Sequence, residues 1–490
     1  FPLFEVIPSP SCDEDLLNFL LNYGEKFLGK TSILAKDTPA FIGNRIGTFG
    51  IQSLFHQVKD GNYTIEEIDK LTGSIIGRPK SATFRTADVV GLDTLISVSK
   101  GIYSSCKNDE SIEIFKEPDF LKKMVKNNFL GSKTGKGFYM KIKDKSGKSK
   151  ILRLDLDSME YVEQKKVNFD ILSKARKIKA SNEKFKFLVN GDDKASNFYK
   201  ENFSRMFHYI QNRIPEISDS IVSIDEAMKA GFGWKDGPFE IWNYIGINEG
   251  KELMKIYGLE TAKWIDDILS NGYNEFYRKS EGIVEYYDIK SKKYKIKPGQ
   301  EGFIILKNIL GDKVVWSNSE ATLYDIGNDI VNLEFSSKMN VINQNIISSL
   351  KKSVEIAEKD FKGLIIGNEG SHFSAGADIS MIFLLSIEQE YDELNHVMKI
   401  FQDTMMRLRY SAIPVVAAPH GYTLGGGCEL CLQCDAVVPY SETYIGLVEA
   451  GIGLLPGGGG MKEMILRASD KFKKNDVEVN ILQEYFMNIG

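Results

Sequence analysis

Apolar residues in the first 280 positions recur mostly at helical spacing. In residues 13–30, DEDLLNFLLNYGEKFLGK, they share one face, opened by acids and closed by Gly29-Lys30, which predicts a helix. A second helix is predicted behind Pro39, in KDTPAFIGNRIGTFGIQSLFHQV, and Thr64 with Glu67 has capping-box spacing before IDKLTG. This first region reads as nearly all helical. The opening apolar residues look like a strand entered partway, and ILQEYFMNIG stops in an apolar, helix-like stretch. Both ends therefore read as cuts through a larger protein.

The region from about 186 to 280 repeats the same order. FHYIQNRIPEI parallels FIGNRIG, and Ser223 with Glu226 gives a second capping-box spacing before IDEAMKAGFGWKDGPFEIWNYIG. Aligning Ile68-Asp69 with Ile224-Asp225 brings Gly77 onto Gly233. A one-residue slip then brings Phe84 and Gly91 onto Phe239 and Gly246. Two related helical units that pack on each other are expected. Between them, residues 141–185 are Lys-rich with few large apolar residues, the pattern of a solvated linker. A further linker is expected over 286–319.

From about 320 the pattern changes. ATLYDIGNDIVNLEF alternates and is rich in strand formers, INQNIISSLKKSVEIAEKD is helical, and KGLIIGNEG and IPVVAAPHG are short buried strands. Strand–helix–strand alternation predicts an α/β domain over 320–490, cut before its end.

Length and charge limit the functional classes. At 490 residues the chain needs about three domains. Its net charge of -5, with both signs interspersed, argues against a nucleic-acid partner, and no uninterrupted apolar run could span a membrane. Five cysteines, three of them clustered at Cys428, Cys431 and Cys434, fit a reducing, cytoplasmic compartment better than a disulfide framework. The cluster reads as small core residues rather than a zinc site, which would need a fourth ligand. FPLFEVIPSP has no basic region followed by an apolar run, so it is not read as a signal peptide.

Several glycine motifs fail. GSKTGKGFY at 131–139 has one residue too few for a phosphate loop and no hydroxyl after Lys136; GFGWKDG and GIGLLPG lack the third glycine of a dinucleotide fingerprint. Two others carry chemistry. HFSAGADI (Ala375, Gly376, Ala377, Asp378) and GYTLGGGCELCLQCD each set small residues directly after an apolar strand. Such turns leave backbone N–H groups open to a ligand, and two donors from two loops would make an oxyanion hole. Glu429 follows the glycines in the first turn of a helix, and Glu449 lies 20 residues on in an apolar run. Two partly desolvated carboxyls there could share acid and base roles around a water. Asp378 reads as a helix start.

With AGADI, GYTLGGGCEL and a second Glu before GIGLLPG, residues 320–490 resemble the crotonase (enoyl-CoA hydratase/isomerase) family. The resemblance implies that the amides of Ala377 and Gly426 hold an acyl-CoA thioester oxygen, and that Ala375, Gly376 and Asp378 belong to the loop around it. It implies that Glu429 and Glu449 flank the water added to a trans-2-enoyl-CoA. An isomerase, or a non-catalytic acyl-CoA-binding or docking segment, is the alternative.

KDTPAFIGNR, GSKTGKGFY and GFGWKDGPFEIW resemble the C-terminal domains of 3-hydroxyacyl-CoA dehydrogenases, here in two copies. The implied organisation is a bifunctional bacterial β-oxidation enzyme. Copy 1 spans 1–140, with 1–12 as the end of a nucleotide-binding domain that lies outside this chain; copy 2 spans 186–285. In that family Glu5 pairs with a catalytic His before residue 1 and Asn44 lines the site. NAD would be used only by the longer protein, and the dehydrogenase half of this chain alone should be inactive. A homo-oligomer or a complex with a thiolase is the implied assembly.

Overall fold

The computed structural model describes residues 2–143, 147–280, 283–300, 304–306, 309, 311–473 and 477–487. The chain divides into two compact units, residues 1–280 with 284–297, and residues 281–283 with 298–490.

The first unit opens with a β-α-β element. Strand Leu3–Val6 pairs in parallel with Thr31–Leu34, Glu5 opposite Ile33. Between them runs helix Glu14–Lys26, capped by Asp13, whose carboxylate accepts from the Asp15 and Leu16 amides. This corrects the expectation of a boundary at residue 12: the short run TSIL pairs with the opening strand and carries the element to Leu34. The predicted second helix is Gly43–Lys59, and Thr64 and Glu67 form the expected capping box, each side chain bonding the other's backbone N–H.

The duplication is carried by matched polar locks. Asp69 accepts hydrogen bonds from the Thr83 and Phe84 amides and from the Tyr139 hydroxyl (2.7 Å). Asp225 accepts from the Phe239 and Glu240 amides and from the Tyr277 hydroxyl (2.7 Å). The Asp88 carboxylate and the Asn243 amide oxygen likewise each accept from a Phe-Tyr pair of amides, 138–139 and 276–277. Both copies share one apolar core, in which the Phe49 ring stacks on Tyr209 with centroids 3.8 Å apart.

Two linker expectations are corrected. Residues Tyr139–Lys143, Ser149–Leu154 and Tyr161–Glu163 form an antiparallel sheet, followed by helices Asp170–Ala175 and Ser181–Val189. The sheet lysines Lys141, Lys143 and Lys150 are exposed while Leu154, Ile171, Leu172 and Phe185 are buried. Copy 2 ends in its own three-stranded sheet, Tyr277–Ser280, Ile283–Asp288 and Lys293–Ile296, and strand Val314–Ser317 already belongs to the second unit. The expected linker over 286–319 thus carries strand at 286–288, 293–296 and 314–317. The predicted Ser223 cap is also displaced: the helix starts at Ile221, Ser220 Oγ accepts from the Val222 amide, and Glu226 pairs with Lys229 and Lys297.

Asp225 is fully buried and serves three donors. Asp225→Ala is expected to destabilise the protein by about 3 kcal/mol or more, since each stranded donor costs about 1–3 kcal/mol. A urea midpoint unchanged from wild type would contradict this.

The second unit is α/β, as expected. Its six-stranded sheet runs Ala436–Val437, Val415–Ala417, Gly363–Ile366, Ile330–Phe335, Ala321–Gly327, Val314–Ser317; the first four are parallel and the last two pair antiparallel. Helices Gln344–Asp360 and Tyr391–Arg409 pack together and share the apolar core with the strands. A separate parallel pair, Tyr422–Leu424 with Tyr444–Gly446, carries the second glycine loop.

Candidate active site

The two small-residue loops are zipped together. The Ser374 amide donates to Tyr422 O and the Leu424 amide donates to Ser374 O, both at 3.0 Å. The Ser374 hydroxyl donates to Asn340 O and accepts from the Gly376 amide. Gly376 has φ +101°, and a methyl there would lie 2.9 Å from Leu424 O, so only glycine fits. The Ile342 amide donates to Gly376 O and the Asp378 amide donates to Ile342 O. Ala377, between these two bonds, is left with its own N–H free of the ladder.

Gly425 (φ +52°) turns the second strand into helix Gly426–Leu432, its amide held by Gly446 O. Gly426 is the first helical residue, whose N–H has no intrahelical acceptor. Neither the Ala377 nor the Gly426 amide donates to any acceptor among the described residues. The two lie side by side: a methyl built on Gly426 would sit 3.1 Å from Ala377 N.

Glu429, one turn on, is 2% exposed. Its Oε1 accepts from the Gly460 amide at 2.9 Å. Burial pushes its pKa up to about 7, the nearby Glu449 adding to the shift while the Gly458–Gly460 amides oppose it. Glu449 begins a 3-10 turn after the second small strand. Its Oε1 would be 3.1 Å from a methyl on Gly425, and its buried Oε2 has no partner among the described residues. Burial raises its pKa as well. Two carboxyls, both held toward neutrality, thus flank a pair of free amides.

These groups line one cleft of about 260 Å³. Its walls are apolar, from Ile382, Val397, Phe401, Val448 and Leu454 among others, and Ala375, Gly376 and Asp378 also line it. The Asp378 carboxylate caps helix Ile379–Ile387 through the Ser380 amide, and the Ala375 amide is taken by Met339 O. The arrangement suits a substrate with a long apolar part, one oxygen that gains negative charge, and a water held between two carboxyls.

The four residues predicted for hydration are brought together. Glu5 and Asn44 also fall in one place, in the first unit. Glu5 Oε1 accepts from the Ile42 and Gly43 amides at the start of helix Gly43–Lys59, where Asn44 is exposed. The helix is anchored by fully buried Arg45, bonded to Asp109 and the Tyr209 hydroxyl. His56 and His208 sit elsewhere, bonded to Ile114 O and Asn212. His372 is half-buried, stacked on Tyr422 and bonded to its amide. Cys428 and Cys431 are buried, and no metal-holding cluster occurs among the described residues.

Sequence reasoning missed Phe401, which is 6% exposed and faces both glycine-rich loops. Its signal was no more than a Phe on an amphipathic helix. It also left unassigned the part played by the Gly457–Gly460 run, which wraps the Glu429 carboxylate.

Residues 325–473 match the family model described as enoyl-CoA hydratase/isomerase. Residues 41–141 and again 205–279 match that of the 3-hydroxyacyl-CoA dehydrogenase C-terminal domain. A Bacillus subtilis protein named a probable 3-hydroxyacyl-CoA dehydrogenase is 42% identical over 466 residues, covering 95% of this chain and 58% of its own. A Rickettsia prowazekii protein, provisionally named a fatty acid oxidation complex trifunctional enzyme, is 29% identical over 98% of this chain and 63% of its own. A Dictyostelium discoideum protein named a probable mitochondrial enoyl-CoA hydratase is 32% identical over 29% of this chain and 50% of its own. The chain therefore spans about three-fifths of the length of the first two relatives.

Proposed function

Since the chain carries the C-terminal domain of the 3-hydroxyacyl-CoA dehydrogenase family twice and one domain of the enoyl-CoA hydratase/isomerase family, we propose that its second unit hydrates trans-2-enoyl-CoA to 3-hydroxyacyl-CoA. One observation carries the reading: the free amides of Ala377 and Gly426 lie side by side, with Glu429 and the unpartnered Glu449 Oε2 against the same loop.

The thioester oxygen accepts from the two amides, which stabilise the charge it gains as C3 is attacked. Glu429 takes a proton from the water whose oxygen bonds to C3. Glu449 gives its proton to C2. Backbone amides favour the ionised form of both carboxyls, Gly458–Gly460 at Glu429 and Val448–Glu449 at Glu449, against the burial that raises both. Exchange with solvent then restores the starting protonation.

By analogy with the longer relatives, the reading extends to NAD-dependent oxidation of the 3-hydroxyacyl-CoA product, to which this chain would contribute Glu5 and Asn44. No G-x-G-x-x-G turn occurs in its sequence, and no hydride step is assigned to its residues. The reading also includes a cytoplasmic location and association with further copies or a thiolase. No helix among the described residues is long and apolar enough to cross a membrane.

The pH dependence tests the acid–base assignment. Glu429 must be ionised to act as the base, so activity is lost as pH falls through its pKa. kcat/KM for crotonyl-CoA, followed by the loss of enoyl absorbance, is expected to rise as pH climbs through about 7. The two carboxyls interact, so the limbs of the profile belong to the pair. An acid limb near the ordinary glutamate range, about 4.3, would remove Glu429 from this role.

A further inference from the structure

Phe401 sits on helix Tyr391–Arg409, and one edge of its ring reaches both halves of the site. Its Cζ lies 3.2 Å from where a methyl on Gly426 would be, a point 3.1 Å from Ala377 N. The neighbouring ring atom Cε1 lies 2.2 Å from where a methyl on Gly458 would be, a point 2.6 Å from Glu429 Oε2. The ring therefore touches the oxyanion loop with one atom and the loop around the Glu429 carboxylate with the next. Glycine at 426 and 458 is what admits it.

The helix carrying this ring is clamped to the same loop. Next to Phe401, Gln402 Nε2 donates to Gly457 O at 2.8 Å. Two turns on, Arg409 pairs at 2.6 Å with Glu463, which is buried in the helix that follows the glycine run. On its other side the helix is held by the Arg407–Glu358 pair.

We propose that Phe401 is a positioning residue for hydration: its ring edge sets the spacing between the Ala377/Gly426 amides and the Glu429 carboxylate, and keeps water from entering behind that carboxylate. The claim rests on the hydratase reading. Unlike a residue that only fills the core, it ties Phe401 to the geometry and protonation of Glu429. An ångström of freedom at a reacting group costs on the order of 100-fold in rate.

The test compares Phe401→Ala and Phe401→Leu with wild type, using the whole protein. Phe401→Ala is expected to lower kcat for crotonyl-CoA about 100-fold, leave KM within a few-fold, and move the acid limb to lower pH as water reaches Glu429. Phe401→Leu, which restores apolar volume but not the flat ring edge, should recover thermal stability without recovering kcat. Titration of 13C-labelled glutamate carboxyls reads Glu429 independently of turnover, and its midpoint should fall in Phe401→Ala. Unchanged kcat, or a kcat that tracks stability in both variants with an unmoved Glu429 midpoint, would overturn the proposal. A wild type that binds but does not hydrate crotonyl-CoA would overturn the hydratase reading instead, and the carboxyl titration would still decide whether Phe401 governs Glu429.

Discussion

Glu449→Gln is expected to lower kcat for crotonyl-CoA hydration by about 10²–10⁴-fold, the range typical of a lost general acid or base, with KM little changed. The Glu449 Oε2 is buried without a partner among the described residues, while its Oε1 lies against Gly425 at the mouth of the amide pair. An amide of nearly the same shape fills that space but has no proton acidic enough to give to carbon. On the proposed reading substrate binding rests on the Ala377 and Gly426 amides and the apolar walls, which the substitution leaves in place. The effect should therefore fall on kcat, as expected of an interaction made only in the transition state. Glu429→Gln should cost a similar factor, and the double variant much less than the product of the two, because in the proposed mechanism the two carboxyls serve one addition as a unit. Turnover retained within about tenfold in Glu449→Gln would remove it from proton transfer.

The grouping of the candidate site residues was more legible in the sequence than the scaffold. Ala377, Gly426 and Glu429 were readable because backbone donors need small residues, and small residues after an apolar strand are a local signal. Glu449 was readable because a lone acid in GLVEAGIGLL is conspicuous. Phe401 was not, since its role depends on two loops 25 and 57 positions away, and a Phe on an amphipathic helix looks like any core residue. The duplication was legible at Asp69 and Asp225, yet the tyrosines that complete each lock, Tyr139 and Tyr277, lie far downstream with no local mark.

The two small sheets were missed for a different reason. In SKILRL charged and apolar residues share both faces and burial rises along the strand instead of alternating, so no period-2 signal marked it and its lysines were counted as linker composition. In ATLYDIGNDIVNLEF the alternation was seen but its turn was not. Asn328 and Asp329 both take positive φ (+56° and +59°) and fold the run into a hairpin between Ala321–Gly327 and Ile330–Phe335. Asn and Asp tolerate that region better than other non-glycine residues, which makes such a pair a turn signal.

Gly426→Ala should lower kcat by about 10²–10³-fold, the range seen when an oxyanion donor is lost, although it removes no functional group. The backbone at Gly426 is in an ordinary helical region, so alanine adds no conformational strain, and the helix Gly426–Leu432 should persist. The added methyl is the difficulty. It would stand 3.1 Å from Ala377 N, hydrogen-bond distance from that donor, and 3.2 Å from Phe401 Cζ. A carbon would then occupy space next to the amides that the thioester oxygen needs, and the Phe401 edge leaves it nowhere to retreat. Ground-state binding of the apolar acyl part should survive better than stabilisation of the charged oxygen, so kcat should fall more than affinity for a saturated acyl-CoA measured by calorimetry. Turnover equal to wild type would mean that the two amides do not share one oxygen, whereas parallel losses of kcat and affinity would mean that the methyl closes the cleft as a whole.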